Sequence, residues 1–165
     1  MKLSIIIPCY NEEKDIKDKI SVFVIPFLKE NHIDYELILV NDGSKDHTKQ
    51  EIKKIPNVVL AGYEVNRGKG GAVKEGIRIA SGDYILFMDA DLSTDLKAIN
   101  DAIPLLDKYD FVIGSRHIKG AVLPIKPPLK RRIMSKGCRF ITNMKFGFKN
   151  KDNQCGFKII KTEII

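Results

Sequence analysis

Two aspartates separated by one residue follow a short apolar run, in the segment Phe87-Met88-Asp89-Ala90-Asp91. In extended backbone, residues i and i+2 point to the same side, so both carboxylates could face one ion. Mg²⁺ and Mn²⁺ are usually bound through one or two carboxylates together with substrate phosphates. The pattern therefore predicts a divalent metal held by Asp89 and Asp91, which would neutralise charge on a leaving diphosphate. A solvated acidic turn is the alternative, because D-x-D is common by chance.

Two further segments could contact a nucleotide. Asp42 lies in the turn Asn41-Asp42-Gly43-Ser44, and its carboxylate could accept hydrogen bonds from a base or ribose, although a simple Asx turn is the alternative. The segment 66–71 is basic and rich in glycine, and N–H groups at the start of a helix suit anions. It lacks the G-x-x-x-x-G-K-[ST] pattern, and G-x-G-x-x-G fails at Val73, so on its own it is a weak phosphate signal.

The elements that must position these residues follow from the alternation of short apolar runs with longer charged stretches. We predict strands over 3–8, 35–40, 58–61, 84–88 and 110–114, with a closing strand over 153–160. We predict helices over 12–29, 46–55, 69–80, 95–107 and, rich in basic residues, 129–145. Pro26 should end or kink the first helix, and Asp46 or Ser44 would cap the second.

Alternating strands and helices predict an α/β domain with a mainly parallel sheet flanked by helices. Ligands of such sheets bind beyond the carboxyl ends of the strands. Polar segments follow the first, second and fourth predicted strands, at 8–12, 41–44 and 89–91. We therefore expect three acidic clusters to converge on one edge of the sheet.

Composition narrows the class of protein. The 165 residues fit one domain, and 44% hydrophobic with 30% charged residues argues against disorder. The three cysteines, Cys9, Cys138 and Cys155, lack the spacing of a zinc site or a disulfide framework and read as reduced thiols. Neither a signal peptide nor a run of about 20 apolar residues is found, which predicts a soluble protein or the soluble part of a longer one.

The formal net charge of +7 is unevenly distributed, because much of the surplus lies after residue 115. Nucleic-acid binding is disfavoured, since aromatic residues are not interleaved with the basic ones as stacking platforms. The predicted basic helix also carries apolar residues. It could rest on an anionic membrane or bind a lipid phosphate, or it could face the core with its lysines solvated.

Taken in order and spacing, four segments closely resemble the inverting family-2 glycosyltransferases of the GT-A fold: 5–13 (IIIPCYNEE), 40–44 (VNDGS), 66–72 (NRGKGGA) and 89–91 (DAD). The likeness covers essentially the whole chain. Within that family, Gly114-Ser115-Arg116 and the segment 152–158 (DNQCGFK) resemble the polyprenyl-phosphate branch. The latter is similar to the D-T-Q-C-G-F-K motif of dolichyl-phosphate β-glucosyltransferases.

The resemblance implies a role for each matching residue. A nucleotide sugar would be bound by Pro8, Tyr10, Glu12, Asp42, Lys69, Asp89, Ala90 and Asp91, of which Asp89 and Asp91 would also hold Mg²⁺ or Mn²⁺. Donor diphosphate or acceptor phosphate would be held by Arg116 with Arg131 or Arg132, and Asp152 or Gln154 would lie at the reaction centre. The implied catalytic residues are Asp91, Asp152 and Arg116.

The implied reaction is inverting transfer of a hexose to a polyprenyl phosphate at the cytoplasmic face of a membrane. UDP-glucose is the favoured donor and GDP-mannose an open one. A hydroxyl sugar acceptor and a truncated, non-catalytic domain that binds nucleotide sugar also stay open, since the family usually continues past the last motif. A processive synthase is disfavoured because Q-x-x-R-W is missing. A nucleotidyltransferase is disfavoured because Pro8–Glu12 stands where its glycine-rich loop would be.

Overall fold

A computed structural model of the chain describes residues 1–115, 144 and 155–165. The chain divides into two compact units, one formed by residues 1–112 and 156–165 and the other by residues 113–155. The first unit is described here. The predicted basic helix over 129–145 lies outside the described residues, apart from Met144.

A six-stranded sheet forms the centre of this unit, in the order β3-β2-β1-β4-β6-β5. Its strands are β1 (Lys2–Cys9), β2 (Asp34–Asp42), β3 (Val59–Tyr63), β4 (Tyr84–Met88), β5 (Phe111–Ile113) and β6 (Phe157–Lys161). Strand β1 pairs in parallel with β2 and β4, β2 pairs in parallel with β3, and β6 runs antiparallel to β4. The prediction of a mainly parallel α/β sheet is confirmed.

The helices are α1 (Ile16–Asp18), a π-helical stretch (Lys19–Val24), α2 (Ile25–Glu30), α3 (Thr48–Lys53), α4 (Gly68–Ile79) and α5 (Lys97–Ala102). Two 3₁₀ turns complete the set, Ile103–Leu105 and Thr162–Ile164.

The first helix, which Pro26 was predicted to end or kink, continues past this residue and changes from π-helical to α-helical at Ile25. Proline lacks an N–H group, and its ring would crowd the carbonyl of Val22 in a regular α-helix. The wider π-helical stretch that precedes Ile25 contains Val22 and relieves this conflict, and the helix then continues to Glu30.

The core lies on both faces of the central strands. The side chains of Ile5, Ile6 and Ile7 in β1 are all fully buried, as expected for a parallel strand covered on each side. On one face, Ile6 packs with Ile38, Val40, Ile85 and, from α4, Ala72. Helix α4 can approach β1 closely because Gly76 has no Cβ. A Cβ at this position would lie only 3.1 Å from Cδ1 of Ile6.

The parallel strands place their carboxyl ends along one edge of the sheet, which we call the carboxyl edge. It comprises the residues at and just after Cys9, Asp42, Tyr63 and Met88. Because β6 is antiparallel to β4, it begins at this edge, next to Gly156. The three acidic segments after β1, β2 and β4 therefore lie along the same edge.

Candidate active site

The loops after β1 and β2 are tied together at the carboxyl edge. Asn11 adopts a left-handed backbone with φ of 55°, which asparagine tolerates better than most residues. Five hydrogen bonds of 2.7–3.1 Å join the two segments. Asn11 donates from its N–H to Ser44 Oγ and accepts at Oδ1 from Lys45 N–H. Glu12 N–H donates to Thr48 Oγ1, Glu13 N–H donates to Asp46 Oδ2, and Glu13 Oε2 accepts from His47 N–H.

The prediction that Asp46 or Ser44 caps the second helix is wrong, because His47 occupies the cap position of α3. Asp46 instead supports the first residue of the helix. Its Oδ1 accepts a hydrogen bond from Thr48 N–H at 3.0 Å. Burial alone would raise the pKa of Asp46, but hydrogen bonds from the Thr48 hydroxyl, Thr48 N–H and Glu13 N–H bring it below its ordinary value. The carboxylate thus remains an acceptor that joins the two loops.

Asp42 ends β2 with only 3% of its surface exposed. Its Oδ1 accepts hydrogen bonds from Tyr63 Oη at 2.7 Å and Arg67 N–H at 2.9 Å, and its Oδ2 accepts one from Asn66 Nδ2 at 3.1 Å. Asp42 therefore orders the loop between β3 and α4. Its predicted contact with a base stays a prediction.

Gly43 brings this loop close to β2. Its φ of 64° is in the left-handed region, and a Cβ there would lie 2.7 Å from the carbonyl carbon of Val65. Any side chain at position 43 would push the 63–67 loop away from Asp42, so glycine is required for conformation and for space.

Tyr63 gives a test of the Asp42 cluster. Burial, the hydrogen bond to Asp42 and the charge of that carboxylate raise the pKa of Tyr63 from 10.0 to about 12. Because the pKa of the Tyr63 phenol is higher in the folded state than in the unfolded state, its contribution to the free energy of unfolding is fully present below pH 10. That contribution is lost as the pH rises toward 12. We expect the stability advantage of the parent protein over Tyr63→Phe to shrink across that window, measured by urea unfolding at pH 8 to 12. A constant difference would contradict the hydrogen-bonded assignment.

Lys69, in the first turn of α4, reaches the segment after β4. Its ammonium forms an ion pair with Asp89 Oδ1 and lies 4.8 Å from the centre of the Phe87 ring. The ammonium of Lys158 on β6 lies 5.6 Å from the same ring centre. Two lysines and one carboxylate thus lie around Phe87, and the Asp89 side chain is 28% exposed. This arrangement favours an anionic ligand next to Asp89.

The Asp89-Ala90-Asp91 segment is a turn, so the prediction that both carboxylates project from extended backbone is wrong. Strand β4 ends at Met88, and Leu92 N–H closes the turn on the Asp89 carbonyl at 3.2 Å. Asp91 is exposed, and its Oδ1 accepts a hydrogen bond from Ser93 N–H at 2.9 Å. Ala90 is 6% exposed and anchors the turn against the protein.

The donor set at this turn fits a substrate-completed metal site. Within the described residues, no group of three or more His, Cys, Asp or Glu side chains could enclose an ion. Mg²⁺ and Mn²⁺ do not need such a cage when phosphates and water complete the coordination. Asp89 is partly exposed and Asp91 is exposed, and each is a carboxylate of the kind that this mode of binding uses.

The residues at the end of β1 occupy different environments. Pro8 is half-buried and pairs with Val40, Tyr10 is 42% exposed, and the carboxylate of Glu12 lies 3.7 Å from the Lys19 ammonium. Cys9 between them is fully buried. Burial, together with the nearby Glu12 charge, raises the pKa of its thiol, so Cys9 is a packing residue rather than a nucleophile.

Five predicted site residues, Arg116, Arg131, Arg132, Asp152 and Gln154, lie outside the described residues and stay predictions. The structure also gives Asp42 two hydrogen-bond partners that the sequence did not assign to it, Tyr63 and Asn66. Segment 66–71 was predicted only weakly to bind phosphate. Its Arg67 N–H donates to Asp42, and phosphate binding by the rest of the segment stays a prediction.

A family model described as Glycosyl transferase family 2 matches residues 4–165. The chain belongs to this family. Among curated relatives, a dolichyl-phosphate beta-glucosyltransferase of Dictyostelium discoideum is 37% identical over 98% of the chain and 54% of the relative. One from Saccharomyces cerevisiae is 34% identical over 99% of the chain and 55% of the relative. The family-2 chain therefore spans about half the length of these relatives.

Solved structures confirm the GT-A fold of this family-2 chain. Mannosyl-3-phosphoglycerate synthase from Rubrobacter xylanophilus superposes with a TM-score of 0.74 at 15% identity, over 99% of this chain and 54% of that one. Glucosyl-3-phosphoglycerate synthase from Mycobacterium tuberculosis, in complex with UDP, superposes with a TM-score of 0.68 at 20% identity, over 99% of this chain and 57% of that one. Among residues 1–115 and 155–165, no helix has both the length and the apolar character needed to cross a membrane.

Proposed function

We propose that this family-2 chain transfers a hexose, with inversion, from a nucleoside-diphosphate sugar to a polyprenyl phosphate, and that UDP-glucose is its preferred donor. The observation that carries the proposal is the carboxyl edge. There, buried Asp42 orders the loop that leads to Lys69, and Lys69 pairs with Asp89 next to exposed Asp91. The likeness to two dolichyl-phosphate beta-glucosyltransferases supports the choice of sugar and acceptor.

In this reaction, an acceptor phosphate oxygen attacks the anomeric carbon opposite the leaving diphosphate, and the new C–O bond forms as the bond to the diphosphate breaks. The second pKa of a phosphate monoester is about 6, so the nucleophile is largely deprotonated at pH 7 and needs little help from a base. Two anions must meet, and cations must offset their repulsion. Lys69 serves the donor side, and we assign Arg116 with Arg131 or Arg132 to the phosphates and Asp152 or Gln154 to the reaction centre.

Asp89 and Asp91 would hold Mg²⁺ or Mn²⁺. When bound, such an ion acts as a Lewis acid that stabilises charge on the leaving diphosphate. The chain's own contribution is to fix the turn that carries both carboxylates, through Leu92 N–H, Ser93 N–H and buried Ala90. Pro8, Tyr10 and Glu12 would line the base and ribose on the other side of Asp42.

We place the reaction at a membrane, because the lipid chain of a polyprenyl phosphate is anchored there, and at its cytoplasmic face, as the resemblance to the polyprenyl-phosphate branch implies. The basic segment after residue 115 would make a peripheral contact with anionic headgroups. A nucleotide-sugar-binding domain without transferase activity is the second candidate, since the geometry at the carboxyl edge accounts for donor binding alone.

The test is an assay with purified protein, a polyprenyl phosphate and either UDP-glucose or GDP-mannose, with Mg²⁺ or Mn²⁺ and then with EDTA. We expect a glycolipid product from UDP-glucose, its loss in EDTA, and its recovery when Mn²⁺ is restored in excess. Product formation unchanged by EDTA would refute the metal-dependent reaction. Binding of UDP without turnover would favour the second candidate. Transfer to a hydroxyl sugar, supplied in place of the polyprenyl phosphate, would identify a different acceptor.

A further inference from the structure

The antiparallel pairing of β4 and β6 places Gly156 next to Asp89. Phe87 pairs with Lys158 and Met88 pairs with Phe157. One further step along the same register brings Asp89 opposite Gly156, immediately before β6 begins. Residues that face each other in this way have Cβ atoms about 5 Å apart, so their side chains compete for the same space.

Asp89 uses the space that a side chain at position 156 would fill. A Cβ on Gly156 would lie 2.5 Å from Cγ of Asp89, still closer to its Oδ2, and 3.1 Å from its Oδ1. Real Cβ atoms essentially never approach another heavy atom to within 3.0 Å. A side chain at position 156 and the observed position of the Asp89 carboxylate are therefore incompatible.

The conflict would be resolved by Asp89 and not by the backbone of β6. Phe157 is 2% exposed and Ile159 is fully buried, and both pair with β4, so this strand is fixed directly after Gly156. The φ of Gly156 lies outside the left-handed region, so alanine can adopt its backbone conformation. The Asp89 side chain is 28% exposed and can rotate toward solvent. Alanine at position 156 should thus act on the carboxylate alone.

We propose that Gly156 is a positioning residue that keeps the Asp89 carboxylate in place beside Lys69, at the proposed nucleotide-sugar site. This inference rests on the proposed function, in which Asp89 binds the nucleotide sugar. A carboxylate displaced by roughly 1 Å loses the geometry on which its ion pair and its ligand depend, and such a displacement can cost on the order of 100-fold in rate. Gly156 itself touches no substrate in this scheme.

A double-mutant cycle tests the proposal with the full chain, using Gly156→Ala, Asp89→Ala and the double variant. The readouts are the dissociation constant of UDP in the presence of Mn²⁺ and the midpoint of thermal unfolding. We expect each single variant to bind UDP about 10-fold or more weakly, and the double variant to bind no more weakly than Asp89→Ala, because residues that act through one contact are not additive.

If the losses of UDP affinity in the two single variants multiply in the double variant, Gly156 acts independently of Asp89 and the proposal is overturned. Normal affinity of Gly156→Ala together with weakened affinity of Asp89→Ala would also overturn the proposal, but would leave the proposed function intact. Normal affinity in Asp89→Ala would overturn both the role of Asp89 and this inference. If Gly156→Ala lowers the unfolding midpoint, removal of the Asp89 side chain should restore it, and failure to do so would place the clash elsewhere.

Discussion

Replacement of Asp91 with alanine is expected to lower kcat/KM about 1,000-fold while the midpoint of thermal unfolding stays near that of the parent protein. Charge stabilisation by a bound divalent ion contributes several kcal/mol, and each 1.36 kcal/mol is tenfold in rate. Stability should change little because Asp91 is exposed, with its Oδ1 accepting one hydrogen bond from Ser93 N–H. The measurement is steady-state transfer from UDP-glucose to a polyprenyl phosphate at saturating Mn²⁺.

Two variants separate the charge of Asp91 from other effects. Asp91→Asn keeps an acceptor for Ser93 N–H but lacks the charge, so it should be impaired almost as much as Asp91→Ala. Asp101→Ala removes an exposed aspartate from α5, and it should transfer sugar at the parent rate. Equal activity of Asp91→Ala and Asp101→Ala would contradict the assignment of Asp91 to the metal and diphosphate.

Replacement of Asp42 with alanine is expected to lower the free energy of unfolding by about 3 kcal/mol and to weaken nucleotide binding. The change removes the carboxylate that accepts from Tyr63 Oη, Asn66 Nδ2 and Arg67 N–H, although Asn66 Nδ2 keeps its bond to the Asp42 backbone carbonyl. A hydrogen bond to a charged group contributes about 1.5–3 kcal/mol. Asn66 and Arg67 are exposed and Tyr63 is half-buried, so water can replace part of what these donors lose. The midpoint of thermal unfolding should fall by about 6–12 °C for a chain of this size.

The matched control is Asp34→Ala, because Asp34 begins the same strand but is exposed. Surface substitutions of this kind usually change stability by about 0.5 kcal/mol or less. Tyr63→Phe removes only one of the three donors to Asp42 and should fall between the two, at about 1.5 kcal/mol. Equal melting of the Asp42 and Asp34 variants would show that the buried cluster does not stabilise the carboxyl edge.

Strand positions could be predicted where apolar runs end at clear boundaries. The predicted strand over 84–88 matches Tyr84–Met88, because Asp83 and Asp89 bound it on both sides. The third strand was predicted to end at 61 but continues to Tyr63, since Gly62 reads as a break although it pairs with Asn41 of β2. Local patterns do not contain this pairing, which depends on the neighbouring strand.

The first helix shows the same limit. It was predicted from Glu12 but begins at Ile16, because the N–H groups of Asn11, Glu12 and Glu13 are bonded to the loop after β2. Competition between a helix and a distant loop cannot be read from helical periodicity. The prediction failed where contacts far apart in sequence replaced local ones.

The candidate site divides along similar lines. The convergence of the three acidic segments follows from the strand order of a parallel sheet and could be expected from the sequence. The partners of Asp42 could not, because Tyr63 meets it through the pairing of β3 with β2 and Asn66 lies in the loop that follows β3. The turn at Asp89–Asp91 was also missed, since D-x-D after a strand is compatible with extended backbone until the closing hydrogen bond from Leu92 is known.

The five hydrogen bonds between the loops after β1 and β2 lower the entropy cost for any ligand that binds to these loops. To order a free loop upon association would cost about 1–2 kcal/mol of backbone entropy per residue. Here that entropy is already lost when the chain folds, so the contacts that a base and ribose would make at the proposed site would be retained as affinity. A nucleotide would thus meet a rigid rim whose shape selects it before any chemistry begins.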